Sequence, residues 1–154
     1  MLKLLFPVAL FFVCVVPPAG HAQVKRIPLP NGNTFPISEG VWVGDTYYLS
    51  GQMGLEKGKD PGDTKTQTIA AIKGIQKALA DQKLTLGDVV MMHVYLAPDA
   101  VKGNKLDFSG FMEGYTQFFG TADQPNKPAR SAMEVAALVA PTALVEIEVI
   151  AVKH

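Results

Sequence analysis

Val145-Glu-Ile-Glu-Val-Ile-Ala151, with Pro128-Ala-Arg-Ser131 upstream of it, is the stretch whose reading decides the fold. Successive side chains of a strand point to opposite faces, so the alternation from Leu144 to Val152 has a fixed parity. Val145, Ile147, Val149 and Ala151 make one apolar face, while Glu146 and Glu148 share the other with Leu144, Ile150 and Val152. In the preceding segment Met133, Val135 and Ala137 alternate with Ala132, Glu134 and Ala136, and Arg130 falls in the second set. Charged residues in such company are rarely buried unless paired or used. If the two strands pair, Arg130 and Glu146 meet on one face near a strand end, which marks a candidate site.

Upstream, Val41-Trp-Val43 and Thr46-Tyr-Tyr-Leu-Ser50 flank Gly44-Asp45, a hairpin signal with a Gly-first turn of the II′ type. The run from Lys57 to Asp63 reads as a surface loop ending in an N-cap, Asp63. From Thr64 to Gln82, Ile69, Ile72, Ile75 and Leu79 recur at helical spacing, and Gly74 suggests a close packing contact. Asp88 to Leu96 is a strand, with Val90, Met92, Val94 and Leu96 on one face and Val89, Met91, His93 and Tyr95 on the other. Asp107 caps a second helix carrying Phe108, Phe111, Met112, Tyr115, Phe118 and Phe119. The order is β-β-α-β-α-β-β, an α+β fold with two helices on one face of a mixed sheet. The second face is too apolar for water, so self-association should cover it.

The first residues form a separate unit. Lys3, the apolar run Leu4 to Val16, Pro17-Pro18 and the small-residue site Ala19-Gly-His-Ala22 read as a signal peptide over residues 1–22, with an uncleaved anchor as the alternative. Cys14 follows bulky Phe-Phe-Val, which argues against a lipoprotein. Cleavage after Ala22 would send the protein to the periplasm or outside the cell, leaving a Pro- and Gly-rich extended arm, 23–35, and one domain, 36–154. It would also remove Cys14, the only cysteine, and with it disulfide and thiol chemistry.

The whole chain has 14 basic and 14 acidic residues and no basic run beyond Lys25-Arg26. Nucleic-acid capture, which needs clustered cations, has no support. Past the signal no apolar stretch is long enough to span a membrane. His93 and His154 are too scattered for a metal site, His93 reading instead as a strand residue with a satisfied hydrogen bond. No Gly-rich phosphate loop or dinucleotide fingerprint occurs. No metal or organic cofactor is expected.

Several stretches recur in order: Pro36-Ile-Ser-Glu-Gly-Val41, Tyr48-Leu-Ser-Gly-Gln52, Gln67, Leu86-Gly-Asp-Val89, Val94-Tyr-Leu96, Tyr115 to Phe119, Pro128-Ala-Arg-Ser131 and the final strand. With them the chain resembles the Rid family of reactive-intermediate (imine) deaminases, also known as YjgF or L-PSP endoribonuclease, from about Phe35 to the C-terminus. The resemblance implies a chorismate mutase-like fold, a homotrimer and a ligand cleft at each subunit boundary. The implied activity is hydrolysis of α-imino acids to α-keto acids and ammonia; the alternative is a non-catalytic α-keto acid-binding or chaperone-like trimer on the same scaffold. Ribonuclease activity is set aside for want of a phosphate-binding patch.

In that family the arginine at Arg130 holds the substrate carboxylate, which suits a planar fork of donors that stays charged. Read by itself, Arg130 has the alternative of a structural salt bridge to Glu134, Glu146 or Glu148. Glu146 matches the glutamate that positions the attacking water, or else is the partner that holds Arg130. Glu148 reads as an interface or structural residue. Ser50 matches a cleft serine; without a base or a nucleophile elbow it is a hydrogen-bond donor, or simply a strand end. Gly51 would allow close approach of backbone to ligand. Three positions depart from the deaminase branch: Ile37 replaces a tyrosine, Met112 an asparagine and Ala132 a cysteine. Each removes a polar group from the expected cleft and points to imines with larger aliphatic side chains.

Overall fold

The computed structural model describes residues 22–55 and 58–154, so the segment read as a signal peptide lies, but for Ala22, outside the described residues. Eight main elements follow in order: β1 (Val24–Pro28), β2 (Ser38–Val43), β3 (Thr46–Met53), α1 (Thr64–Asp81), β4 (Val89–Leu96), α2 (Phe108–Tyr115), β5 (Ala129–Glu134) and β6 (Val145–Val152). The strands form one sheet in the order β1-β2-β3-β6-β4-β5. All neighbours are antiparallel except β4 and β5, whose connection passes through α2 as a parallel pair requires. This is the expected α+β architecture.

Both helices cover one face. Ile72, Ile75 and Leu79 of α1 and Phe111 of α2 are wholly buried against Val94 of β4 and Val145 and Ile147 of β6. In β6 buried and half-buried residues alternate without a break, as the sequence parity required. Asp63 caps α1 by accepting from the Thr66 amide at 2.8 Å, and Asp107 caps α2 by accepting from the Gly110 amide at 3.0 Å. Gln67 ties α1 to the last strand. Its buried amide donates to the Thr142 carbonyl at 2.9 Å and accepts from the Leu144 amide at 2.8 Å, satisfying backbone groups that enter β6 under the helix.

Several expectations are corrected. β5 and β6 do not pair, because β4 lies between them. The polar β5, with Arg130, Ser131 and Glu134, takes the sheet edge, and the more apolar β4 takes the interior. The extended arm adds a strand that the expected order lacked: Val24–Pro28 pairs with β2 as the other edge strand, where a proline at the strand end is tolerated. A bulge between Val89 and Met91 turns Val89 into the core and leaves Val90 42% exposed, reversing their expected faces. α2 stops at Tyr115, although Phe119 stays buried and stacks on Tyr115 at 4.9 Å. Gly44 has φ +59° and opens the β2–β3 turn as the hairpin signal required.

The close helical approach is not at Gly74, where a Cβ would meet nothing nearer than 3.5 Å, but at Gly114, where it would lie 2.8 Å from Thr68 Cβ and 3.0 Å from the Lys65 carbonyl. The same substitution should therefore act with opposite sign at the two sites. Gly74→Ala should stabilise by about 0.5–1 kcal/mol through helix propensity. Gly114→Ala should lose that gain to overpacking and destabilise by about 1 kcal/mol or more. Urea midpoints at unchanged slope would read both, and a stabilised Gly114→Ala would refute the packing argument.

Candidate functional site

Arg130 is the second residue of β5, and its register partner is Met92, which is fully buried beneath the helices. Its side chain therefore points to the helical face. The guanidinium carbon lies 4.4 Å from the ring centroid of Tyr115, 5.0 Å from that of Phe111 and 5.9 Å from that of Phe108. The i, i+3, i+7 spacing of these aromatics sets them in one stripe of α2 facing the edge strand. Aromatic faces attract a cation but offer no in-plane acceptor to its N–H groups. Nη1 is accordingly buried with no hydrogen-bond partner among the described residues. An unmatched buried donor costs about 1–3 kcal/mol, which an anion with oxygens in the guanidinium plane would offset.

The three carboxylates considered as salt-bridge partners are placed elsewhere. Glu134 accepts from the Leu106 amide at 2.8 Å. Glu148 accepts from the Tyr95 hydroxyl at 3.0 Å and lies 2.9 Å from His93 Nδ1. Glu146 pairs in register with Tyr95 and so occupies the face opposite Arg130. Among the described residues Arg130 has no ion pair. The expected meeting of Arg130 and Glu146 within one chain does not occur, because an odd number of positions separates their register partners Met92 and Tyr95 on β4.

Glu146 has its own surroundings. β3 carries one residue too many between Leu49 and Gln52, so Ser50-Gly51 bulges against β6. A Cβ on Gly51 would overlap the Glu146 carboxylate; the close approach is thus to a side chain of the chain itself. The Ser50 hydroxyl donates to the Ser38 carbonyl at 2.8 Å, and Ile37, beside Ser38, is 52% exposed. Burial, and secondarily the charge of Glu148, raise the Glu146 carboxyl above the ordinary carboxylate range. Both effects penalise the ionised form, which makes the carboxylate a better proton acceptor once ionised.

The predicted residues thus divide into two groups. Arg130 and Ala132 share the helix-side face of β5, and α2 contributes Met112, half-buried against the core. Ser50, Gly51 and Glu146 gather at the β3–β6 bulge, with Ile37 flanking Ser50's partner. The sequence sets Phe111 and Tyr115 on the apolar stripe of the second helix, with no link to Arg130. They are core, and with Phe108 they also form the shelf for Arg130; the aromatic stripe opposite an inward arginine was the signal. The Tyr95–Glu148–His93 cluster was legible only in its histidine, and its strands are joined solely by tertiary pairing.

Larger surface hollows lie beside Gln76 and Asn126, beside Lys73 and Met53, the register partner of Glu146, and beside Trp42 and Lys153. A smaller one, of about 310 Å³, opens at Glu146. Among the described residues no three of His, Cys, Asp and Glu are grouped as metal ligands, and no helix is long and apolar enough to cross a membrane.

A mixed six-stranded sheet with both helices on one face is the architecture of the YjgF-type structures. The YjgF gene product of E. coli superposes with a TM-score of 0.67 at 29% identity, over 79% of this chain and 91% of that one. E. coli TdcF with bound serine gives a TM-score of 0.67 at 28% identity, over 88% and 99%. Residues 32–153 match the family described as Endoribonuclease L-PSP, and the chain belongs to this YjgF/RutC family. A RutC family protein of Saccharolobus solfataricus is 39% identical over 139 residues, covering 84% of this chain and 94% of that protein. The Mus musculus protein named 2-iminobutanoate/2-iminopropanoate deaminase is 35% identical over 121 residues, covering 77% and 82%.

The contact between Gly51 and Glu146 is directly testable. In Gly51→Ala the flexible carboxylate should swing outward, leaving stability within about 0.5 kcal/mol. Its carboxyl titration, followed by ¹³C NMR, should fall back toward the ordinary carboxylate range. An unchanged titration would refute the packing.

Proposed function

We propose that the protein is a cofactor-independent imine deaminase that hydrolyses α-imino acids to α-keto acids and ammonia, working as an exported homotrimer. The observation that carries this reading is the Arg130 guanidinium, fixed on an aromatic shelf at a sheet edge with a buried N–H unpaired. Such a group is built for a planar anion, and a carboxylate answers its geometry. The name of the Mus musculus relative supports the choice of imino acid.

Arg130 and Glu146 on opposite faces of one sheet cannot hold a single small molecule within one chain. They can do so across a boundary between copies, with the edge strand β5 of one subunit brought beside the β3–β6 bulge of the next. The exposed Tyr48 and Met133, at 46% and 41%, support burial of that face by association. In this arrangement Arg130 binds the carboxylate. Glu146 of the adjoining copy takes a proton from water as its oxygen bonds to the imine carbon. The C=N electron pair of the protonated imine moves to nitrogen, Glu146 returns its proton to the nitrogen of the resulting carbinolamine, the C–N bond breaks, and the departing ammonia takes the hydroxyl proton as ammonium, leaving the keto acid. Ser50 and Gly51 shape the wall beside Glu146, and Ile37, Met112 and Ala132 supply apolar edges. The apolar character of those three positions favours one second reading, a binding trimer without turnover.

An amino-acid oxidase generating imines in situ, with their decay followed in the presence of the protein, tests the activity. Arg130→Ala should lower kcat/KM by about two to three orders of magnitude. Glu146→Gln should lower kcat while leaving keto-acid binding nearly intact. The acid limb of the wild-type profile should fall at higher pH than an ordinary carboxylate would set, because activity needs ionised Glu146 and burial and Glu148 both raise its titration. Keto-acid binding without turnover in the wild type would establish the binding trimer instead.

The state of the purified protein tests the rest. Light scattering at micromolar concentration should report about three chains, and intact mass should place Gln23 at the N-terminus. A monomer would remove the shared cleft, and recovery of intact Met1 from the cytoplasmic fraction would remove export.

A further inference from the structure

Between β5 and β6 the chain runs from Val135 to Val145 without one charged residue. Its first half folds back over the sheet face that carries the acids. Val135, Ala137, Leu138 and Val139 there form the apolar wall of the hollow of about 310 Å³ whose floor is Tyr95, Glu146 and Glu148. Nothing in the core requires this wall: Val139 is 91% exposed, and neither it nor Leu138 belongs to the buried cluster.

We propose that this hollow is the substrate side-chain pocket, and that it selects α-imino acids with branched aliphatic side chains while rejecting small and acidic ones. The inference rests on the deaminase reading for the role of Glu146 and adds the specificity. A water held by Glu146 attacks the imine carbon, so that carbon stands next to the carboxylate. The side chain on the same carbon is one bond away and enters the space that Glu146 itself lines. That space is at the small end of ligand pockets, the size for an amino-acid side chain and not for a larger ligand.

Its chemistry is one-sided. The walls are methyl and methylene groups. Of the polar groups on the floor, Tyr95 and Glu148 are engaged with each other, Glu148 accepting from Tyr95 at 3.0 Å and contacting His93 at 2.9 Å, and Glu146 is the one that holds the water. A polar side chain would find no free donor there, and an acidic one would face two carboxylates. An apolar one would be sheltered from water, and each added methylene in such a pocket is worth about tenfold or more in discrimination.

The test compares imines derived from leucine, alanine and glutamate in the oxidase-coupled assay. Binding of 4-methyl-2-oxopentanoate, pyruvate and 2-oxoglutarate to the assembled protein is measured in parallel by calorimetry. We expect at least about tenfold higher kcat/KM for the leucine imine than for the alanine imine. The glutamate imine should be poorest, and the keto acids should bind in the same order. Leu138→Ala and Val139→Ser should shrink the leucine-to-alanine ratio, and Val139 is too exposed for its replacement to disturb folding. Turnover with a flat or inverted preference would overturn the pocket and leave the deaminase standing. Selective binding of 4-methyl-2-oxopentanoate without turnover of any imine would overturn the deaminase and keep the pocket. An unchanged ratio in both variants would remove Leu138 and Val139 from the selection, and neither binding nor turnover would refute both readings.

Discussion

Alternation along β6 ties the hydrophobic core and the acidic face to a single register. With Val145, Ile147, Val149 and Ala151 packed under the helices, Glu146 and Glu148 have no choice but the opposite face. A slip by one residue would bury both carboxylates and expose the core, which apolar burial forbids. The remainder of the molecule is arranged around this strand. β3 and β4 flank it, Gln67 anchors its entry, and the bulge at Ser50-Gly51 leaves room for the Glu146 side chain.

The same register separates the two groups with the most chemical potential. Arg130 reaches the helical face, where aromatic rings fix the guanidinium without satisfying it, and Glu146 is held on the other with its ionisation penalised. Each side is strained in a complementary sense, one wanting an anion and the other a cation or a proton. A single subunit offers a small ligand only one of them. Assembly is thus a chemical requirement of the proposed reaction as well as a means of covering apolar surface.

Much of the fold was legible. The two helix caps, the hairpin turn and the parity of the last strand depend on local chemistry, and the structure reproduces them. The first strand was hidden because Pro28 and Pro30 make the segment resemble a loop, and only an edge position tolerates such a sequence. The faces of Val89 and Val90 were misjudged because a bulge inserts a residue that periodicity cannot register. Gly74 looked like a packing site and Gly114 did not; which glycine meets another helix depends on where that helix lies.

The sequence by itself determined the α+β class, the family and which charged residues stand in strands. Arg130 and Glu146 stand out simply by being charged in strands that are otherwise apolar. Only the tertiary structure decided how those residues relate. Strand order is set by long-range pairing, and inserting β4 between β5 and β6 converted an expected contact into two groups on opposite faces. Local alternation says which residues share a face within a strand. It cannot say which strand comes next, because that is settled by competition among whole strands for the buried centre of the sheet.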